Sequence, residues 1–557
     1  MCPDSSDQQQ ELSPSERYAA SRKRAEFAKT ELGKFSASLQ FPMDPFQMEA
    51  AEQLEDGHAV LVAAPTGAGK TVVAEFAIHL ALAQGKKSFY TTPIKALSNQ
   101  KYTDLVATYG QEKVGLLTGD TSRNPGAQIV VMTTEVLRNM LYADSTALEN
   151  LGYVVMDEVH YLADRFRGAV WEEVIIHLPE SVQVVALSAT VSNAEEFGAW
   201  LDTVRGSTSV IVSEHRPVPL WQHVMVGKEL YDLFSMTGDK IPTTQVNPEL
   251  VQLAERARRD IQPNDWGRPG SRGRNRQRTR NGRRQGDRRQ SDRRGSVEPS
   301  RPPRKDLRVS RPQMVRALSR EGLLPCITFI FSRNGCAAAV EQCLNAGLDL
   351  TTGSEKNQIL ETVDRAASVL AEQDRDALGF WGFRDGLRRG FAAHHAGLLP
   401  LFKEIVEELF AAGLIKVVFA TETLALGINM PARTVVIEKL VKFDGESHKD
   451  ITPGEYTQLT GRAGRRGIDV EGHAVVMWQP GLDPGAVAGL AARRTYPLNS
   501  SFKPTYNMSV NLLARFGRER ARNILESSFA QFQADRSVVG LAQEVQRQER
   551  SLVGYEE

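Results

Sequence analysis

Between residues 35 and 222, short uninterrupted apolar runs alternate with stretches of helical period. The runs are AVLVAAP, KSFYTTP, QIVVMTT, YVVMDE and VQVVALSAT. A strand that is apolar throughout is covered on both faces, so the pattern predicts a parallel sheet between two layers of helices. The same pattern returns between 319 and 482, in CITFIFS, IKVVFAT, RTVVIEK and HAVVMW. Two such blocks predict two stacked α/β domains with a cleft between them. A charged, polar tail (1–34) precedes them, and residues 223–318 read as a linker. From 483 to 557 the pattern turns helical and reads as an interrupted domain.

Length agrees with this division, since 557 residues at roughly 150 per domain allow three or four. The formal charge of zero hides an asymmetry. Arg268–Arg308 holds fifteen Arg and one Lys against four acids, a net +12, which leaves −12 elsewhere. Almost without apolar residues, that segment is expected to be disordered. It reads as a spacer, as an electrostatic grip on RNA or DNA, or as a dock for an acidic surface, this chain's own included. Its sign favours nucleic acid. The four cysteines (Cys2, Cys326, Cys336, Cys343) form no C-x-x-C pair, which argues for reduced core thiols in a cytoplasmic protein. The N-terminus lacks the apolar core of a signal peptide. The most apolar helical stretch, VVAEFAIHLALA, is too short to cross a bilayer and is broken by Glu75 and His79.

The chemistry begins at AVLVAAPTGAGKT, where an apolar strand runs into a Gly-rich turn and then a helix. That context suits a phosphate-binding loop, although Ala64 stands where the first Gly is usual. In this reading Thr66, Gly67, Ala68 and Gly69 wrap the phosphates, Lys70 reaches the β- and γ-phosphates, and Thr71 ligates Mg²⁺. YVVMDEVH raises a sharper question, because two carboxylates leave the end of a core strand together. In a parallel sheet, ligands sit beyond the carboxyl ends of strands. Beside a dication and a triphosphate the pair makes sense: Asp157 holds Mg²⁺, and Glu158 orients and deprotonates the attacking water. Taken alone, the pair would read as a solvated strand end. In the second block, QLTGRAGRRG offers Arg462 and Arg465 as arginine fingers and Gln458 as a water-positioning group.

With these motifs stand FPMDPFQMEA, TTPIKALSNQKY, LTGDT, MTTEVLRNML, LSATVSN, RPVPL, FIFSRNGC, HHAGLLP and FATETLALGINMPARTVV. In this order over residues 41–467, the chain resembles the superfamily-two helicases, specifically their superkiller-like DExH-box branch. Within it, the sequence is most similar to bacterial HelY-type and eukaryotic exosome-associated RNA helicases. The resemblance implies two tandem RecA-like domains followed by the start of a winged-helix region. It implies ATP and Mg²⁺ as cofactors, and 3′–5′ movement on a strand, RNA before DNA. By position it implies that Gln47 reads adenine, with Phe41 or Phe46 beside it. Ser188 and Thr190, with His160, would couple nucleotide state to strand movement. Pro93, Lys95, Thr134, Ser332 and Thr421 would line the nucleic-acid path, and Gly427 and Asn429 would lie where nucleotide and strand meet. The pair His394–His395 is a structural loop in that family and lacks the spacing of a metal site. RNA-decay proteins are the implied partners and a monomer the implied state. A DNA-repair helicase, a remodelling ATPase without unwinding, and an RNA-binding scaffold without turnover are the alternatives. The scaffold would predict damage at Lys70, Glu158 or Arg465, and all three are intact.

Overall fold

The computed structural model describes residues 14–165, 167–236, 242–261, 307–425, 430–443, 447–492 and 497–536. Most of the Arg-rich segment, together with Gly427 and Asn429, lies outside them.

The first domain is built on strands β1 (Ala59–Ala63), β2 (Lys87–Thr92), β3 (Val114–Thr118), β4 (Thr121–Arg123), β5 (Ile129–Thr133), β6 (Leu151–Met156), β7 (Gln183–Ser188) and β8 (Thr208–Val212). Their order is β4-β3-β5-β2-β6-β7-β1-β8, and every pairing is parallel except β3–β4. Alternate residues of each strand feed opposite faces, because successive side chains point to opposite sides of the pleat. Val60, Val62, Tyr90, Val155 and Leu187 pack under helices Pro45–Glu55 and Thr71–Ala83. Leu61, Ala63, Phe89, Val154 and Ala186 pack against helices Ala169–His177 and Ala194–Arg205.

The second sheet comprises β9 (Leu220–Val226), β10 (Glu229–Asp232), β13 (Cys326–Phe329), β14 (Phe391–His394), β15 (Val417–Ala420), β16 (Thr434–Ile437) and β19 (Gly472–Met477), in the order β10-β9-β19-β16-β13-β15-β14. Two hairpins complete the strands: β11 (Phe234–Met236) with β12 (Pro242–Val246), and β17 (Val441–Phe443) with β18 (His448–Asp450). This sheet corrects the expected linker. Leu220–Val226 is a strand laid parallel on β19, and β10 pairs with it. Leu250 and Ala254 of the next helix, and Met314 and Val315 of helix Arg311–Arg320, are core residues of the second domain. Polar spacing hid them, since edge strands and amphipathic helices carry only half the apolar signal of a central strand. The thiols of Cys326, Cys336 and Cys343 are free and buried here, and burial pushes each up to about 12.

Residues 497–536 fold back onto the first domain. Leu498 and Phe529 join its core, and Phe529 meets the rings of Phe197 and Trp200 at 5.2 and 5.3 Å. The indole N–H of Trp200 donates to the Ser527 carbonyl (2.8 Å), and Asn193 exchanges hydrogen bonds with the backbone of Leu498. No helix among the described residues is long and apolar enough to cross a membrane.

Candidate active site at the domain cleft

Strand order assembles the site. β7 lies between β1 and β6, in registers that pair Ala63 with Ser188 and Met156 with Ala186. The phosphate loop, the acid pair and Ser188 therefore leave the sheet at one edge. Gly67 and Gly69 turn the loop at φ 82° and 90°, values that a residue with a Cβ rarely adopts. Lys70 Nζ donates to the carbonyls of Ala64 (2.8 Å) and Pro65 (3.1 Å). Burial lowers the Lys70 pKa, against the opposing pull of Glu158 and Asp157.

Asp157 is buried. Its carboxylate accepts from the Tyr90 hydroxyl (2.8 Å) and from the Glu158 N–H (3.0 Å). Burial and the neighbouring Glu158 raise its pKa, which Lys101, Tyr90 and Lys70 partly offset. Burial opposes the charge on Glu158, yet His160, Lys70, Arg462 and Lys101 together bring its pKa below the ordinary value. Glu158 takes the left-handed conformation, φ 54° and ψ 43°. His160, whose pKa burial lowers against the pull of Glu158, lies 3.5 Å from Glu158 Oε2 and accepts the Ala189 N–H through Nδ1 (3.2 Å). That bond ties the acid-bearing loop to the segment holding Ser188 and Thr190, both buried.

From the second domain, helix Pro453–Thr460 delivers Gln458 and the loop behind it delivers the arginines. Arg462 is buried; desolvation lowers its pKa, and Glu158, Tyr161 and Asp157 oppose that. Burial and Glu158 push the Tyr161 pKa up, and Gln458 and Arg462 partly offset this. A Cβ placed on Gly461 would come within 3.2 Å of Thr66 Cβ, so the two domains meet at the loop itself. Arg465 lies differently. Asp469 holds its guanidinium through two bonds of 2.8 Å.

Gln47 Nε2 donates to the Gly69 carbonyl (2.8 Å), while its Oε1 accepts the Asp44 N–H (2.8 Å). Phe41 is exposed and Phe46 is buried. Pro93, Lys95, Thr134, Ser332 and Thr421 stand at the carboxyl ends of β2, β5, β13 and β15. Lys95 is paired with Asp120 (2.6 Å), and Ser332 caps helix Arg333–Asn345 through Gly335 N–H. Thr421 shares a hydrogen bond with Thr423, and Thr134 turns its hydroxyl inward to the Thr92 carbonyl. His394 bonds Glu407 at 2.8 Å, as a structural residue does.

Sequence reasoning overlooked Tyr90, Lys101 and Arg466. Lys101 Nζ lies 3.4 Å from Thr71 Oγ1 and over the Tyr90 ring. Each is an ordinary residue of its helix, strand or loop; only the fold brings Tyr90 and Lys101 to the acids and Arg466 to Asp44. The candidate Mg²⁺ ligands fit a dication: Thr71 opens a helix beside the phosphate loop, and two adjacent carboxylates share a site that raises the pKa of Asp157.

A DEAD/DEAH box helicase model matches residues 44–197, and a helicase conserved C-terminal domain matches residues 348–467. The chain is 60% identical over 525 residues to the probable helicase HelY of Mycobacterium tuberculosis, covering 94% of this chain and 55% of that protein. It is 38% identical over 524 residues to the exosome RNA helicase MTR4 of Homo sapiens (94% and 46%). With the antiviral helicase SKI2 of Saccharomyces cerevisiae it shares 39% over 515 residues (89% and 40%). The chain thus spans about half the length of the curated relatives it matches. A phosphate loop, a paired-acid strand end and an arginine loop facing both across one cleft are what those matches cover, and the chain belongs to the DEAD/DEAH-box helicase family.

Proposed function

We propose that this chain is the ATP-hydrolysing motor of a helicase that moves 3′–5′ on RNA. The observation that carries the reading is the convergence of Lys70, Asp157 and Glu158 of one domain with Arg462 of the other. Lys70 and the loop amides bind the triphosphate. Glu158 accepts the proton of the attacking water, and Gln458 orients that water. Arg462 neutralises charge as it develops on the γ-phosphoryl oxygens, and Arg465 joins it once freed from Asp469. Thr71 and Asp157 would hold Mg²⁺, which neutralises phosphate charge. Gln47 reads the adenine edge and Phe41 covers its face. The Ala189–His160 bond carries the state of Glu158 to Ser188 and Thr190.

Lys95, Thr134 and Ser332 stand at helix N-termini on the carboxyl edges of both sheets, where backbone amides bind phosphates without reading sequence. Thr134 is fully buried, so it supports the helix terminus and does not itself touch the strand. RNA is favoured over DNA because MTR4 is named as an RNA helicase. RNA-decay partners, a cytoplasmic location and a monomeric state go with this reading. A second reading is a nucleic-acid-stimulated ATPase without processive unwinding.

Steady-state ATPase with single-stranded RNA or DNA of equal length tests both, with Glu158→Gln as control. Stimulation by RNA that the variant loses is expected. Stimulation by DNA alone would move the substrate to DNA, and turnover without strand displacement would favour the second reading.

A further inference from the structure

Arg466, the third arginine of GRAGRRG, crosses the cleft. Its Nη1 donates to the Ala68 carbonyl (2.8 Å) and lies 2.9 Å from Asp44 Oδ2, while Nη2 donates to Asp44 Oδ1 (3.1 Å). Asp44 caps helix Pro45–Glu55 in a reciprocal box with Gln47. A Cβ on Gly69 would fall 2.8 Å from Gln47 Nε2 and 3.0 Å from Arg466 Nη1, so the two side chains flank one residue of the phosphate loop. One guanidinium thereby holds the phosphate loop and the cap of the Gln47 helix together from the opposite domain.

We infer that Arg466 is a positioning residue that couples docking of the second domain to the base-side half of the nucleotide site, acting through Asp44 and Ala68. A planar fork can bind a carboxylate with both nitrogens and a carbonyl with one of them only at a single relative placement of the domains. Lysine, a point charge, imposes no such placement. Arg466 therefore differs in task from Arg462, which sits among the acids, and from Arg465, which Asp469 holds. The part of the inference that concerns base selection rests on the reading of Gln47 as the adenine contact.

The test is a double-mutant cycle with Arg466→Ala and Asp44→Asn in the full chain. Asparagine keeps a helix-capping side chain, so the second variant keeps the fold of its helix. Affinity for a fluorescent ADP, kcat and KM for ATP and GTP, and thermal unfolding are read for each. The expected result is a KM for ATP raised about three- to tenfold in either variant, with little further loss in the double variant. kcat at saturating ATP should stay within about twofold and ATP-over-GTP preference should fall. Arg466→Lys should behave as the alanine variant, since it lacks the fork. Additive effects, or an unchanged KM with only a lower melting temperature, would overturn the inference and leave Arg466 a packing residue. Equal use of ATP and GTP by the unaltered chain would overturn the Gln47 reading instead, and the affinity cycle would still judge the coupling.

Discussion

Glu158 is the residue on which backbone cost and chemistry meet. Among the described residues, the other non-glycine positions with positive φ are Asn124, Asp144 and Asn150, types whose short polar side chains tolerate that region. A glutamate held there costs on the order of 1 kcal/mol and persists only where the surroundings over-determine it. Here Asp157 accepts its N–H, and the cations Lys70, Arg462 and Lys101 face its carboxylate. Glu158→Gln should therefore leave ATP binding intact while lowering kcat about 10²- to 10⁴-fold, read by single-turnover hydrolysis. Arg462→Ala should cost about 10³- to 10⁵-fold in rate. A loss at Arg462 that appeared in KM alone would assign it to ground-state binding. The acids and the arginines were legible as residues because they break an apolar run or repeat around glycines. Which arginine meets which partner was not, since Arg462, Arg465 and Arg466 are equivalent in a linear pattern.

At the level of elements, the segment 497–536 changes how the first domain must be understood. Expected as the opening of a winged-helix region, it supplies core residues to the first domain and touches the loop that follows the acids. Ser501 Oγ donates to the Leu162 carbonyl (2.8 Å), and Gly168 leaves the space that Ser501 occupies. Glu172, fully buried, accepts from the Ser500 hydroxyl and from Phe529 N–H (2.8 Å). Phe529→Ala should lower stability by about 3–5 kcal/mol in chemical denaturation, the usual cost of emptying an aromatic site in a packed core. Burial raises the Glu172 carboxyl to about 7, against the hydrogen bonds of Ser500 and Phe529. The folded state thus binds the proton more tightly than the unfolded chain. The Glu172 contribution to stability is largest below the ordinary carboxylate range, falls as pH rises towards about 7, and levels beyond it. The melting temperature should decline between about pH 5 and 8, and Glu172→Gln should flatten part of that decline. Glu75, Asp104, Asp157 and Glu173, whose pKa values burial also raises, contribute to the residual slope. Parallel pH curves for the two proteins would show that Glu172 does not titrate in this window.

For the whole molecule, the site exists only while two domains share one cleft. The Arg-rich segment concentrates +12 in a chain that otherwise carries −12. Deleting residues 268–306 should weaken strand binding at low salt and flatten the dependence of log K on log salt, leaving basal ATPase unchanged. Measured by fluorescence anisotropy across a salt series, an unaltered slope would mean that the segment releases no counterions and serves as a spacer.

The sequence alone determined what local chemistry determines. Apolar runs marked the central strands because burial on both faces leaves no polar position. Glycines marked the phosphate loop because only they take its dihedrals freely, and Asp157–Glu158 stood out because charge at the end of a core strand needs a partner. Tertiary structure decided the rest. β7 lies between β1 and β6 and so brings three strand ends to one edge. Leu220–Asp232 pairs across the second sheet, 497–536 closes over the first, and Arg466 finds Asp44 across 422 positions of chain. Such contacts join residues far apart in sequence, and their free energy comes from desolvation and geometry that exist only after the domains have packed.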